Sequence, residues 1–290
     1  MKNLLYTLIF LNILNFGYSD ENKPETFMWE VTSPVHPGKV YLLGSIHVAD
    51  ERLYPLHPAI ETAFEESSAL VLEIVIDKVN PLDMMQYLTY KDERTLESEL
   101  PKDIYEKIAK MFEENNIPKY MYNKFKPWFA VITLQSDAFK GAGFTSLEGI
   151  DMYFLKKARE KKIDVLEIET LESQIQLLED LDEFTGDYLR SVLEDFGNPD
   201  STMDKVLEAW KAGDDSAMEG YMANGSETEE FVDIMEKLNF ERNENMSDKI
   251  EEYLQNERVY FVVVGSAHLI GSRGVVNILK ETNKYKIKRY

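Results

Sequence analysis

VYLLGSIHV (residues 40–48) and VYFVVVGSAHL (residues 259–269) are the two stretches on which the reading of this chain turns. Each is a run of β-branched and apolar residues that ends in Gly-Ser-x-His, as Gly44-Ser45-Ile46-His47 and Gly265-Ser266-Ala267-His268. Continuous apolar runs of this kind fit strands covered on both faces, as in a parallel sheet. A glycine at the strand end lets the backbone turn sharply or approach a ligand. In open α/β sheets, ligands bind beyond the carboxyl ends of the strands. Only four histidines occur in 290 residues, and two of them share this setting near opposite ends of the chain. Either alone reads as a core histidine; the duplication of the whole unit points to a working site.

An imidazole at a strand end serves as a metal ligand or as a general base. A hydrolytic divalent metal takes about three protein ligands plus water. Glu73 is the natural third group, because it interrupts the apolar run ALVLEIVI (residues 69–76), where an unpaired carboxylate would be costly. The competing reading pairs it with an arginine. Ser45 and Ser266 do not form a nucleophile elbow, since neither has the second glycine of Gly-x-Ser-x-Gly; a lining role suits them better. His36, in the turn Pro34 to Gly38, and His57, before Pro58, are expected at the surface.

Outward from these strands, helical and extended patterns alternate. Phe27 to Ser33 and Lys39 to Ile46 read as strands, Pro55 to Ser67 as a helix, and Ala69 to Ile76 as a buried strand. Pro81 to Leu88, Lys102 to Asn115, Lys119 to Lys140 and Gly149 to Lys162 show helical apolar spacing. Tyr120, Tyr122, Phe125, Trp128 and Phe129 are expected in a core. Asp164 to Ile168 is a short strand. An acidic helical region follows from Leu171 to Asn256, broken at Gly186, at Gly197-Asn198-Pro199, and near Gly213 and Gly225. A helix at Gly274 to Thr282 leads to a basic edge strand, Lys284 to Tyr290. Strands separated by helices predict an α/β fold with a mixed, mostly parallel sheet, flanking helices, and long helical insertions at about 80–140 and 171–256 forming a cap. Residues 20–290 are expected as a single domain. At an expected helix start, Glu148 and Asp151 suit the dipole as capping acids, with a histidine partner as the other role for one of them.

The first residues read differently. Met1-Lys2, the apolar stretch Leu4 to Phe16 and the small-residue site Gly17-Tyr18-Ser19 have the layout of a secretory signal peptide over residues 1–19. The apolar core is short for a membrane anchor, which wants about 20 residues. An exported protein, periplasmic or secreted and free of the membrane after cleavage, is the expectation. There is no cysteine, so neither disulfides nor thiolate chemistry are available. With 32 basic and 53 acidic residues the net charge is −21, which removes any general attraction for nucleic acid or anionic lipid.

The paired Gly-x-x-His motifs, together with LVLEIVID around Glu73, LEGIDMYFLKKA (residues 147–158), LEIETLESQ (residues 166–174) and ERNENM with Glu241 and Arg242, resemble the TraB/GumN family, which includes the Tiki proteases. The resemblance runs from about Phe27 to the C-terminus. It implies an α/β fold related to erythromycin esterase and haem-binding ChaN-like proteins. For Tiki-like members it implies metal-dependent proteolysis that favours manganese or cobalt, with zinc also possible here. Carried onto this chain, it makes His47, His268 and Glu73 the metal site, and Glu73, Glu169 and Arg242 the catalytic acids and arginine. Whether Glu167 or Glu169 points inward stays open, as does whether Arg242 steadies an oxyanion or neutralises Glu73 or Glu169. The reading is an exported metal-dependent hydrolase acting on a peptide or protein. Its alternatives are a metal-independent esterase-like hydrolase and a non-enzymatic peptide- or haem-binding protein. The oligomeric state stays open.

Overall fold

The computed structural model describes residues 26–75, 81–180, 189–190, 193, 199–222, 233 and 235–290. The expected leader and the breaks at Gly186, Gly197 and Gly225 lie outside the described residues. Among the described residues, six strands form one sheet: β1 (Met28–Thr32), β2 (Lys39–Ser45), β3 (Ala69–Leu72), β4 (Asp164–Glu167), β5 (Val259–Gly265) and β6 (Lys286–Arg289). Their order is β4-β3-β5-β2-β1-β6. The four strands from β4 to β2 run parallel, while β1 pairs antiparallel with both β2 and β6. This is the expected α/β fold with a mixed, mostly parallel sheet and flanking helices.

The two motif strands are neighbours. β2 and β5 pair in register, with Ser45 opposite Gly265, so the two Gly-Ser-x-His units leave the sheet side by side. β3 lies on the other side of β5 and ends with Leu72 opposite both Val263 and Glu167. Four carboxyl ends therefore finish almost level. The continuous apolar runs are explained by burial on both faces: Phe261, Val262 and Val263 of β5 have no exposed surface. On one face Phe261 packs against Phe64 and Phe154, with ring centroids 5.5 and 4.7 Å away. Those two rings come from the helices Pro58–Glu66 and Ile150–Lys161.

Two expected elements differ. The strand ALVLEIVI ends at Leu72, so Glu73 stands just past the sheet rather than in mid-strand. The Val75 N–H bonds to the Glu167 carboxylate, at 2.7 Å, instead of extending the ladder. The single helix expected from Lys119 to Lys140 is two, Lys119–Tyr122 and Pro127–Gly141. Pro127 is the cause: it cannot continue a helix but suits the first position of a new one. Most of the aromatic group is buried there, as expected, but Tyr120 is 80% exposed.

Residues between 96 and 134, with Leu189 and Leu193, form an apolar cluster distinct from the core around the sheet, with Phe112 and Tyr122 stacked at 4.9 Å. At the sheet edge, Lys286 and Lys288 of β6 point to solvent, a pattern that discourages edge-to-edge pairing. No helix among the described residues is long and apolar enough to cross a membrane.

Phe261 sets a direct test of this packing. Phe261→Ala is expected to cost about 3–5 kcal/mol in urea unfolding, the usual loss for a fully buried phenylalanine. The exposed Val35→Ala should stay within about 0.5 kcal/mol of the parent. Equal, small losses would contradict a core centred on β5.

Candidate functional site

The site is assembled where the parallel strands end. His47 lies two residues past β2, Glu73 directly follows β3, Glu169 lies two past β4, and His268 sits in the short helix Ser266–Leu269 that follows β5. The two imidazoles approach one carboxylate oxygen: His47 Nε2 is 3.8 Å and His268 Nε2 4.0 Å from Glu73 Oε1. The same oxygen accepts the Gly265 N–H at 2.7 Å.

The glycines of the motif have different tasks. A Cβ on Gly44 would stand 2.8 Å from Ser266 Oγ and 3.0 Å from Ser266 Cα, so its absence lets the two strand ends close on each other. A Cβ on Gly265 would instead sit amid the site, 3.4 Å from His47 Nε2, 3.5 Å from Glu73 Oε1 and 3.6 Å from His268 Cδ2. That glycine keeps the space between the three side chains open. The serines support the backbone: Ser266 Oγ donates to the Ser45 carbonyl at 3.0 Å, and Ser45 Oγ donates to Asp151 Oδ1 at 3.1 Å.

Each histidine is held from behind by a different group. His47 Nδ1 is 2.8 Å from Asp151 Oδ2. Asp151 reaches it because the helix Ile150–Lys161 begins against the His47 backbone, where only Gly149 fits: a Cβ there would be 2.3 Å from the His47 carbonyl oxygen. The capping role expected for Asp151 therefore gives way to a bond with the histidine. His268 Nδ1 is 2.7 Å from Asn243 Oδ1.

On the far side of Glu73 lies a buried ion network. Arg242 gives Nη2 to Glu73 Oε2 at 2.7 Å and to Glu169 Oε2 at 2.6 Å, and Nε to Glu169 Oε1 at 2.7 Å. Its Nη1 donates to the Leu238 carbonyl, inside the π-helical turn Glu236–Phe240 that runs into the helix Glu241–Leu254. Gln174 Nε2 bridges Glu73 Oε2 and Glu169 Oε2 at 3.2 and 2.8 Å. Glu169 is thus the acid that faces inward, while Glu167 is exposed and serves the Val75 N–H. Arg242 adopts the neutralising geometry. His36 and His57 are at the surface, and the His57 side chain caps the helix Pro58–Glu66.

These surroundings push the two histidines in opposite directions. The Asp151 carboxylate raises His47 to about 9, against some opposition from burial. Burial lowers His268 to about 4, outweighing the pull of Glu73. Burial alone would raise Glu73, but His268, His47 and Arg242, with the Gly265 N–H, hold it below the ordinary carboxylate range. At neutral pH His268 is uncharged, so that lowering rests on His47, Arg242 and Gly265. His47 is at the mouth, with 58% of its side chain exposed, whereas His268 is 6% exposed. Solvent therefore screens what the His47 pair adds to stability.

No three His, Cys, Asp or Glu side chains among the described residues form a ready-made metal cage. The donor set still suits an ion. Two imidazole nitrogens and a carboxylate oxygen converge, and the 3.8 and 4.0 Å separations are shorter than two metal–ligand bonds of about 2.1 Å laid end to end. The space beside Gly265 lies between them. Sequence reasoning missed Asn243 and Gln174 as parts of the site.

A sequence model for the TraB/PrgY/gumN family matches residues 27–289. A protein named metalloprotease TIKI homolog from Amphimedon queenslandica is 23% identical over 350 aligned positions, covering 99% of this chain and 67% of the relative. Uncharacterized protein YbaP of Escherichia coli (strain K12) is 21% identical over 257 positions, covering 88% of this chain and 93% of its own. No solved structure matches at a comparable level of significance.

The split between the histidines fixes the shape of the pH dependence. Between the ordinary value of 6.5 and about 9, the folded chain keeps a proton on His47 that the unfolded chain has released, so stability falls as pH rises. Between 6.5 and about 4, the unfolded chain takes up a proton that folded His268 refuses, so stability falls as pH drops. Urea unfolding at pH 4.5, 6.5 and 9 should show His47→Gln flattening the alkaline limb and His268→Gln flattening the acid limb. Unchanged limbs in both variants would refute the assignment.

Proposed function

The chain belongs to the TraB/PrgY/gumN family, and from that premise we propose that it is a metal-dependent hydrolase of peptide bonds, with His47, His268 and Glu73 holding the ion. The observation that carries this reading is the approach of both motif imidazoles to one Glu73 oxygen, at 3.8 and 4.0 Å. The peptide as substrate class is supported by the relative named as a metalloprotease. When bound, a divalent ion such as manganese, cobalt or zinc supplies a Lewis acid and lowers the pKa of water.

The remaining work falls to the chain. Glu73 is kept ionised by Arg242 on Oε2, which leaves Oε1, with the Gly265 N–H and the two imidazoles beside it, to face the ion. Glu169 is tied by both oxygens to Arg242, which gives it the part of holding the guanidinium against Glu73. His47, at the open side, is the group an incoming carbonyl meets first. Its Asp151 partner accepts the Nδ1 proton and keeps the ring oriented, so that Nε2, once its own proton is released, faces the ion.

A second reading keeps the residues and omits the ion. It is favoured by the separation of the two histidines, one charged and one neutral at pH 7, which is the arrangement of an acid and a base. In this reading His268 activates water and His47 donates the proton to the leaving group.

The two are separated by one set of measurements on the chain from residue 20 onward. Under the first, the protein takes up manganese, cobalt or zinc, cleaves unstructured peptides, and loses both properties in His47→Ala and His268→Ala, with activity falling at least about 100-fold. A strong chelator should stop cleavage. Activity that survives the chelator but not His47→Ala would select the second reading. Peptide cleavage and metal content untouched by both substitutions would sink the two together.

A further inference from the structure

The two motif histidines are not equivalent, and the difference lies in what stands behind each. Asp151 has only acceptor oxygens, so any proton between it and His47 Nδ1 comes from the ring. Asn243 could offer His268 either an oxygen or an NH2 group, and the next bond along decides which. Asn243 Nδ2 is 2.8 Å from the Arg273 carbonyl oxygen, which accepts and cannot donate. The NH2 group must face that carbonyl, leaving Oδ1 toward His268 Nδ1 at 2.7 Å. The ring therefore carries its hydrogen on Nδ1. Its Nε2 is left with a bare lone pair on the side of Glu73 and the space beside Gly265.

We propose that Asn243 is a positioning residue whose task is to lock His268 in the Nδ1–H tautomer, so that Nε2 faces the site as a fixed acceptor or ligand. The setting suits a lock. Asn243 has no exposed surface, and Ser247 Oγ holds the Asn243 carbonyl at 2.7 Å within the same helix, which adds a third restraint on the residue. The neighbouring Arg242 is tied to the carboxylates, so one turn of the helix Glu241–Leu254 fixes both the charge of Glu73 and the tautomer of His268. A carboxylate in place of Asn243 would add a further buried negative charge to the Glu73–Arg242–Glu169 network. A neutral amide fixes the tautomer without that charge, which suits a histidine with almost no access to water.

This inference rests on the proposed role of His268 in the site, but its test does not need turnover. In metal-free protein carrying 15N-labelled histidine, long-range 1H–15N correlation should show His268 at pH 7 with a protonated Nδ1 and an unprotonated Nε2. Asn243→Ala should move the ring toward the Nε2–H form or a mixture. Asn243→Asp, which keeps an acceptor, should keep the proton on Nδ1, whether or not Nε2 also gains one. An Nε2–H tautomer in the parent protein would overturn the proposal without recourse to any variant, as would an unchanged spectrum in folded Asn243→Ala. A purely structural asparagine would lower stability and leave the tautomer alone. If the hydrolase reading also holds, Asn243→Ala should weaken metal uptake about 10–100-fold, the range for partners of ligating histidines. Loss of that reading would leave the spectroscopic result standing.

Discussion

A carboxylate stripped of water is the constraint around which this protein is arranged. Glu73 stands at the carboxyl end of a strand whose other residues are fully apolar, with only 8% of its surface exposed. An isolated charge there would cost several kcal/mol, and removing one partner of such a pair is worse than never having built it. Each oxygen is therefore assigned. Oε1 faces the Gly265 N–H and the two histidines, and Oε2 takes Arg242 and Gln174. Because one guanidinium facing one carboxylate would still be underpaired, Glu169 completes the network from the neighbouring strand end. The groups that satisfy Glu73 arrive from four segments of the chain, around residues 47, 169–174, 242 and 265–268, so the folded sheet and the charge balance specify each other.

The repeated motif shows how one local pattern can do two jobs. In both copies the strand supplies burial and the glycine supplies room, but the room is used differently. At Gly44 it admits the other copy, since Ser266 packs where a side chain would be. At Gly265 it is left to the site, because the histidines and Glu73 surround the missing Cβ. The histidines diverge in the same way. One copy meets a carboxylate at an open mouth, the other an amide in the interior, and their protonation separates accordingly. Duplication brings the two imidazoles together, and the unlike partners prevent them from becoming interchangeable.

What could be read in the sequence follows from which interactions leave a local trace. An apolar strand ending in Gly-Ser-x-His is visible wherever it occurs, and an acid after four apolar residues is conspicuous, so His47, His268 and Glu73 stand out. Their partners leave no such trace. Asn243 and Gln174 sit in acidic helical stretches where a polar residue is ordinary, and nothing in their spacing tells that they face inward. Asp151 looked like a capping acid because it does lie in the first turn of a helix; only the approach of that helix to the His47 backbone, allowed at Gly149, turns it to the ring. The choice between Glu167 and Glu169 was open for a related reason: strand β4 ends at Glu167, and alternation cannot be extended past a strand end. The same limit placed Glu73 in mid-strand.

The sheet itself explains why the site has one location. Its parallel half, β4-β3-β5-β2, brings four carboxyl ends to one edge, whereas β1 and β6 run antiparallel to their neighbours and close the opposite flank. Only on the parallel side can groups following successive strands converge, since each chain leaves the sheet in the same direction. β5 is central because it borders both β2 and β3, and so its terminal Gly265 lies between the strand that delivers His47 and the strand that delivers Glu73. A glycine at that position serves two demands at once: it donates its backbone N–H to the carboxylate, and it leaves open the space between His47, Glu73 and His268. Any larger residue could keep the hydrogen bond but would fill the space, so the most economical residue in the chain stands at the centre of its site.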